Sequence, residues 1–426
     1  MRKAVLLLLV SVILFSLPAC GPTVSADVAQ SDKPRDTSPT ATKDDVAALV
    51  GGNNAFAFDL YHKLSQDEGN LFLSPYSISE ALAMTYAGAR GDTEKAMAQA
   101  LNFTLPQDRL HPAFNSLDLQ LKQRGQGAKG KDGKGFRLNI VNALWGQKGF
   151  DFLPAFLDTL AQDYGAGLRL VDFINQTEAS RLTINSWVSD QTEQRIKDLI
   201  PPGALNPMTR LALTNAIYFN AAWQHPFDKN ATSDGVFHLL DSKEVTVPMM
   251  RQTRSFNYTE GADYQAVELP YDGQELSMVI LLPKGGHFNA FEEKLDASRV
   301  QAIIGQMTHR EVALTMPRFT FESSFSLKGA LSDLGMGVAF DPASADFSGM
   351  DGRRDLFIQD ALHKAFVAVD EAGTEAAAAT AVIIGLTSIP QPPVEMKVNR
   401  PFIFLIRDIP TGSIIFVGCV LNPITK

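Results

Sequence analysis

Asp370-Glu371-Ala372-Gly373-Thr374-Glu375-Ala376-Ala377-Ala378-Ala379-Thr380-Ala381-Val382-Ile383-Ile384-Gly385-Leu386-Thr387-Ser388-Ile389-Pro390 is the stretch on which the fold turns. Its alanines favour helix by intrinsic propensity. With a period of two it also makes a strand, Thr374, Ala376, Ala378, Thr380, Val382 and Ile384 sharing one face and Glu375, Ala377, Ala379, Ala381 and Ile383 the other. The only charge after Gly373 is Glu375, on the face that could meet solvent, and the side chains near the start are small enough to slide between two strands. A helix with a proline-rich linker and a segment with two states, one outside a sheet and one inside it, both fit these residues. Pro390, Pro392 and Pro393 then close off sheet pairing and favour an extended exit.

Upstream, the chain divides by character. Apolar positions at helical spacing predict helices over 46–63, 77–86, 93–100, 110–122, 153–164 and 178–199, with one strand at 137–144 among them. From residue 211 onward the runs are short, β-rich and bounded by Gly, Pro or Asp: 211–219, 245–250, 265–269, 276–282, 312–319, 365–369, 402–407 and 413–420. Helices first and strands later, without βαβ alternation, argue for an α+β fold and against a doubly wound parallel sheet.

The N-terminus has the layout of an export signal. Arg2 and Lys3 precede an apolar run from Ala4 to Phe15, too short to span a bilayer as a permanent helix, and the run stops at Leu17-Pro18-Ala19-Cys20-Gly21. This is similar to a lipobox, which implies a signal over 1–19 and two acyl chains on Cys20, enough for stable anchoring. Residues 20–44 are polar and poor in large apolar side chains, and are expected to be a disordered tether spanning about 25 to 30 Å. A single domain is expected over 45–426, lying outside the cytoplasm and held to the cell envelope by its lipid.

Thirty-eight Lys and Arg stand against 47 Asp and Glu, a formal net charge of −9, and losing Arg2 and Lys3 with the signal makes the body more acidic still. That balance argues against a nucleic-acid partner. Of the two cysteines, Cys20 is the expected lipid site, so Cys419 has no internal disulfide partner; in an apolar strand it is expected to be a small buried hydrophobe. The glycine-rich basic loop over 122–137 is expected to be flexible and solvated, with a polyanionic cofactor the alternative there.

Signals of catalysis are missing. No Gly-x-Ser-x-Gly elbow, His-Glu-x-x-His helix, Walker loop or Cys-x-x-Cys pair occurs in the body, and the seven histidines have no mutual spacing suited to a metal. No cofactor or metal is expected.

Glu371-Ala372-Gly373-Thr374-Glu375-Ala376-Ala377-Ala378-Ala379-Thr380 resembles the hinge of an inhibitory serpin. Asn70-Leu71-Phe72-Leu73-Ser74-Pro75-Tyr76-Ser77-Ile78 and Leu213-Thr214-Asn215-Ala216-Ile217-Tyr218-Phe219-Asn220-Ala221-Ala222-Trp223 are similar to two further signatures of that family, as are Val247-Pro248-Met249-Met250, Glu268-Leu269-Pro270-Tyr271 and Asn399-Arg400-Pro401-Phe402-Ile403-Phe404. The matches run in order from about residue 46 to the C-terminus.

The resemblance implies three β-sheets, eight or nine helices and an exposed reactive loop over about 371–393. It implies a monomeric suicide inhibitor: a protease attacks the loop, forms an acyl-enzyme, and is carried about 45 Å as roughly 14 hinge residues enter the main sheet. The family's hinge length puts the reactive bond at Thr387-Ser388, with Leu386-Thr387 as the neighbouring alternative. A small β-branched residue or leucine there suits elastase-, subtilisin- or chymotrypsin-like serine proteases, and papain-like cysteine proteases form a second target class. Ser74, Ser77, Asn215 and His363 match a polar cluster beneath the parting strands, and Glu371, Arg318 and Trp223 match a charge pair and an aromatic at the top of the sheet. A non-inhibitory binding protein of the same fold is the alternative function.

Overall fold

The computed structural model describes residues 26–66, 69–130, 132, 135–374 and 392–424. The first half is mostly helical, as expected. Helix α1 (Lys43–Leu64) starts at a capping box: the Thr42 hydroxyl accepts from the Asp45 amide at 3.1 Å, and the Asp45 carboxylate accepts from the Thr42 amide at 2.9 Å. After β2 (Leu71–Leu73), α2 (Pro75–Tyr86) is buried along its whole length, with Ser74 as N-cap and Pro75 in the first turn, where no amide is needed. Helices α3 (Gly91–Ala100), α4 (Gln107–Lys122), α5 (Pro154–Tyr164) and α6 (Thr177–Gln191) complete this half.

Helix α6 stops at Gln191, short of the expected residue 199. Glu193, Gln194 and Asp198 all take positive φ, which the helix cannot hold, and the carbonyl of Ile200 is taken by Arg181 and Asn185 of α6 itself.

Two ladders of strands follow. In the seven-stranded sheet, β1 (Asp27–Ala29), β4 (Leu168–Val171), β3 (Arg137–Gln147), β5 (Leu211–Ala222), β13 (Gly373–Thr374), β12 (Ala361–Asp370) and β11 (Phe319–Ser326) lie side by side in that order. The second ladder holds β6 (Ser233–His238), β7 (Glu244–Glu260), β8 (Tyr264–Pro270), β9 (Leu276–Pro283), β10 (Thr308–Pro317), β14 (Val394–Lys397), β15 (Phe402–Asp408) and β16 (Ile414–Val420), together with β2. The second and third of the expected sheets are joined through the 17-residue β7, which pairs β6 and β10 along most of its length and β8 at its end.

The expected single strand over 312–319 is two strands in two sheets. Pro317 supplies no amide, Arg318 bonds the Pro248 carbonyl instead, and the chain crosses from β10 in one sheet to β11 in the other. Between the sheets and α1 and α2 lies the main apolar core, where Phe72 stacks on Phe416 (4.9 Å) and Phe404 (5.6 Å). The short helices α7 (Phe288–Glu292), α8 (Ala297–Gly305), α9 (Lys328–Leu331) and α10 (Ser348–Asp351) cover its margins.

The tether needs correction over its described part. β1 adds antiparallel to the edge of β4, Ser31 and Lys33 hold Asp158 of α5 at 2.5 and 2.8 Å, and Arg35 pairs with buried Asp118 of α4. Polar side chains and backbone anchor this strap, so its lack of apolar residues does not leave it in solvent.

Candidate functional site

The strand β12 ends at Asp370, turns through Glu371 and Ala372, and returns as the two residues of β13. That turn drives Gly373 and Thr374 between β12 and β5: Gly373 is opposite Asp370 on one side and Ala222 on the other, and Thr374 is opposite Val369 and Ala221. Below this wedge β5 and β12 pair directly and in parallel, from Leu213 with Ala361 to Ile217 with Ala365. The sheet therefore has a seam that is closed at the bottom and occupied at the top.

Each residue of the wedge is fixed. Gly373 has φ +150°, and a Cβ there would stand 2.2 Å from the Ala221 carbonyl oxygen, so no other residue fits. Thr374 is buried, its hydroxyl 3.0 Å from Tyr271 Oη. Trp223 stacks on Tyr271 at 4.7 Å and donates its indole N–H to the Asp370 carbonyl, while its amide donates to the Ala372 carbonyl. Glu371, also buried, accepts from Arg318 Nε at 2.7 Å, from Arg318 Nη2 and from the Thr232 hydroxyl. Burial works to raise its pKa, but Arg318 and Thr232 outweigh that and hold the carboxyl below its ordinary value.

Ser74, Ser77, Asn215 and His363 meet across the closed part of the seam. The Ser74 amide donates to His363 Nε2 at 3.3 Å, which leaves the ring proton on Nδ1, facing Asn215 Oδ1. Asn215 Nδ2 donates to Ser77 Oγ at 2.6 Å and to Asn142 Oδ1 at 2.5 Å, and the Ser74 hydroxyl donates to the Ile415 carbonyl at 2.7 Å. Burial pushes His363 down to about 3, so the ring is neutral at physiological pH.

Two members of this network escaped the sequence analysis. Asn142 of β3 donates to the Ser77 carbonyl and to Glu80 Oε2 (2.7 Å), and Glu80 is buried on α2. Burial and the charge of Asp118 push Glu80 up to about 8. Nothing in the spacing around either residue marks it; only a strand and a helix already brought together would.

Glu375, Ala376, Ala377, Ala378, Ala379 and Thr380 of the hinge, the bond at Leu386, Thr387 and Ser388, and Cys20 lie outside the described residues. In the basic loop, Arg124 is held by Asp408 at 2.7 Å and faces Glu275, and Arg137 pairs with Asp132 at 2.7 Å and Glu193 at 3.0 Å. These two arginines are engaged within the protein, whereas Lys129 of the same loop is exposed and Lys131 and Lys134 lie outside the described residues. Cys419 is buried, and burial raises its thiol to about 12, as suits an inert core residue. Among the described residues no group of His, Cys, Asp and Glu could hold a metal ion.

Residues 51–423 match the family described as Serpin (serine protease inhibitor). The leukocyte elastase inhibitor of Homo sapiens is 39% identical over 386 residues, covering 88% of this chain and 99% of that protein. Antithrombin-III of Mus musculus is 39% identical over 396 residues (90% and 84%), and an uncharacterised serpin-like protein of Thermococcus kodakarensis is 40% identical over 439 residues, 99% of both chains. Among solved structures, maspin superposes with a TM-score of 0.81 at 26% identity, covering 89% of this chain and all of that one. With likeness running through both sheets and most of the helical half, the chain belongs to the serpin family.

Proposed function

We propose that this protein inhibits proteases by trapping them on its own cleaved loop. The observation that carries this reading is the wedge: Gly373 and Thr374 pair with both β5 and β12 at the top of a seam whose strands meet directly below. A chain that already enters the sheet by two residues, and continues with Ala376, Ala377, Ala378 and Ala379, meets little steric resistance to entering further.

The protease's serine hydroxyl attacks the carbonyl of Thr387, the Ser388 amine leaves with a proton, and Thr387 is left esterified to the enzyme. Freed at that bond, the hinge adds as a full strand between β5 and β12, gaining backbone pairs on both sides. That gain moves and deforms the attached protease before water can reach the ester. Ser74, Ser77, Asn215, His363 and Asn142 act as the latch, since parting the strands breaks their bonds and each unpaired buried group costs about 1 to 3 kcal/mol. The short residues at the bond favour elastase-, subtilisin- or chymotrypsin-like targets, with papain-like cysteine proteases trapped as thioesters, and Cys20 carries the lipid that holds the inhibitor at the cell envelope.

Incubation with elastase and subtilisin should give a covalent complex that survives boiling in detergent, together with a fragment beginning at Ser388. Clean cleavage without complex across a panel of serine and cysteine proteases defeats the reading. Palmitate labelling of the expressed chain that persists in Cys20→Ser would remove the anchor alone.

A further inference from the structure

A cavity of about 550 Å³ opens among three connections of the second ladder, and its lining shares no residue with the wedge or the seam. The hairpin from β6 to β7 forms one wall. It is closed by the Leu239 amide on the Lys243 carbonyl at 2.8 Å, with Ser242 turning at φ +65°. The turn after β9 forms the second, where the His287 amide donates to the Lys284 carbonyl at 3.0 Å. The link from β14 to β15 forms the third and is tied to the first, since the His238 amide donates to the Asn399 carbonyl at 2.8 Å. With all three segments anchored, the shape of the cavity is set before any ligand arrives.

Half-buried Arg400 lines this space from the link. Its Nε donates to the Pro283 carbonyl at 2.8 Å, and its Nη1 donates to Asn399 Oδ1 at 3.3 Å and to the Lys397 carbonyl at 3.5 Å. These acceptors are all neutral, and among the described residues Nη2 has none. No Asp or Glu belongs to the described lining. Burial therefore pushes the guanidinium below its ordinary value with no carboxylate to offset the loss of water. Lys284 is exposed beside it and makes no ion pair among the described residues. His238 is already matched, its Nδ1 lying 3.1 Å from Glu244. Two unmatched cations thus line one space in a chain whose net charge is −9. The rest of the lining is largely apolar: Pro283, Phe288 and Pro401 are buried, Leu239 is half-buried, and Leu240 is 49% exposed.

We propose that this cavity binds a small organic acid, its carboxylate on Arg400 and Lys284 and its aliphatic or aromatic body against Phe288, Pro401, Leu239 and Leu240. A carboxylate accepts a charge-assisted hydrogen bond from Nη2 and supplies the counter-charge that the protein withholds. A bare inorganic anion would meet the cations and leave the apolar wall wet, and a neutral amphiphile would do the reverse. The volume is that of a site for a small ligand. Once bound, the acid ties the β6–β7 hairpin, the turn after β9 and the β14–β15 link to one another. The site uses none of the groups that act in trapping, so it stands whether or not a protease is inhibited.

Calorimetric titration of the full, uncut chain with octanoate, octanol and inorganic phosphate tests this. Octanoate should bind saturably, one per chain, and raise the melting midpoint, while octanol and phosphate should each bind about tenfold more weakly or less, since each lacks half of the recognition. Arg400→Gln should weaken octanoate about tenfold. That variant also loses the bond to the Pro283 carbonyl, so two substitutions at exposed positions decide the matter should it fail to fold. Lys284→Glu should weaken octanoate about fivefold and Leu240→Asp by a similar factor, because each sets a carboxylate against the ligand's own. Both should melt, without ligand, close to wild type. Absence of saturable octanoate binding, octanol or phosphate binding as tightly as octanoate, or an octanoate affinity unchanged in both exposed variants overturns the proposal.

Discussion

Thr374 Oγ1 lies 3.0 Å from Tyr271 Oη, so the first hinge side chain is hydrogen-bonded inside the protein before any cut is made. Tyr271 is fully buried and stacked on Trp223, which leaves the pocket no room to reshape. Thr374→Arg would force a cation into this fully buried site against Tyr271, at a cost of several kcal/mol. The expected outcome is an inhibitor turned substrate: protease assays should show mostly cleaved product and little complex. Unchanged partition would mean that the hinge does not enter the sheet through this position.

Gly373→Ala tests the wedge without adding charge. The new methyl would meet the Ala221 oxygen at 2.2 Å and the Ala222 Cα at 2.7 Å, both of them backbone atoms of a central strand that cannot step aside. Residues 373 and 374 should therefore leave the seam, costing about 2 to 4 kcal/mol in strain and lost pairing. A lower melting midpoint for the uncut chain, with faster exchange of the Trp223 amide, is expected. A midpoint equal to wild type would show that the wedge contributes nothing to the uncut state.

Much of this arrangement is visible in the sequence because it is built from local signals. Short β-rich runs mark β5 and much of β12, apolar positions at helical spacing mark most of α2, and Glu371 and Arg318 are found through the family resemblance. What escapes is set by contacts between distant segments. Asn142 and Glu80 matter only because β3 lies over α2 (a helix buried on every side), and Thr232 matters only because a turn brings it to Glu371. The strap is illegible for a similar reason: composition measures what a segment can bury, not which backbone edge or buried carboxylate awaits it. The end of helix α6 is illegible because Glu193, Gln194 and Asp198 turn the chain at positive φ with no glycine or proline among them.

The buried titratable groups set opposite limits on stability with pH. His363 and His111 are each pushed by burial down to about 3 from an ordinary 6.5, so the native state binds fewer protons than the unfolded chain between those values, and stability is lost as pH falls from 6.5 toward 3. Glu80, raised to about 8 from 4.5, has the reverse effect: the native state holds an extra proton, and stability is lost as pH rises from 4.5 to 8. Two histidines outweigh one carboxyl where the windows overlap, so these groups place the optimum near pH 6.5. Urea midpoints should fall on both sides of it. Glu80→Gln should flatten the alkaline limb between 6.5 and 8 and steepen the acid limb between 4.5 and 6.5, where Glu80 no longer opposes the histidines; an unaltered alkaline limb would show that Glu80 does not carry the proton.

Arg318 and Glu371 test how the turn before the wedge is held. The carboxylate is 2% exposed and the guanidinium side chain 41%, so the pair straddles the surface with its anion inside. Removing the cation strands a buried charge that the Thr232 hydroxyl alone cannot balance. For a fully buried pair that loss is about 3 to 5 kcal/mol; with Arg318 partly in solvent, about 2 to 3 is expected for Arg318→Ala. Arg318→Ala combined with Glu371→Gln should recover most of it, because the neutral amide can still accept from Thr232. Chemical unfolding of the uncut chain measures both. A double variant no more stable than Arg318→Ala alone would mean that the guanidinium acts by packing over the turn, and that charge compensation is not what keeps Glu371 in place.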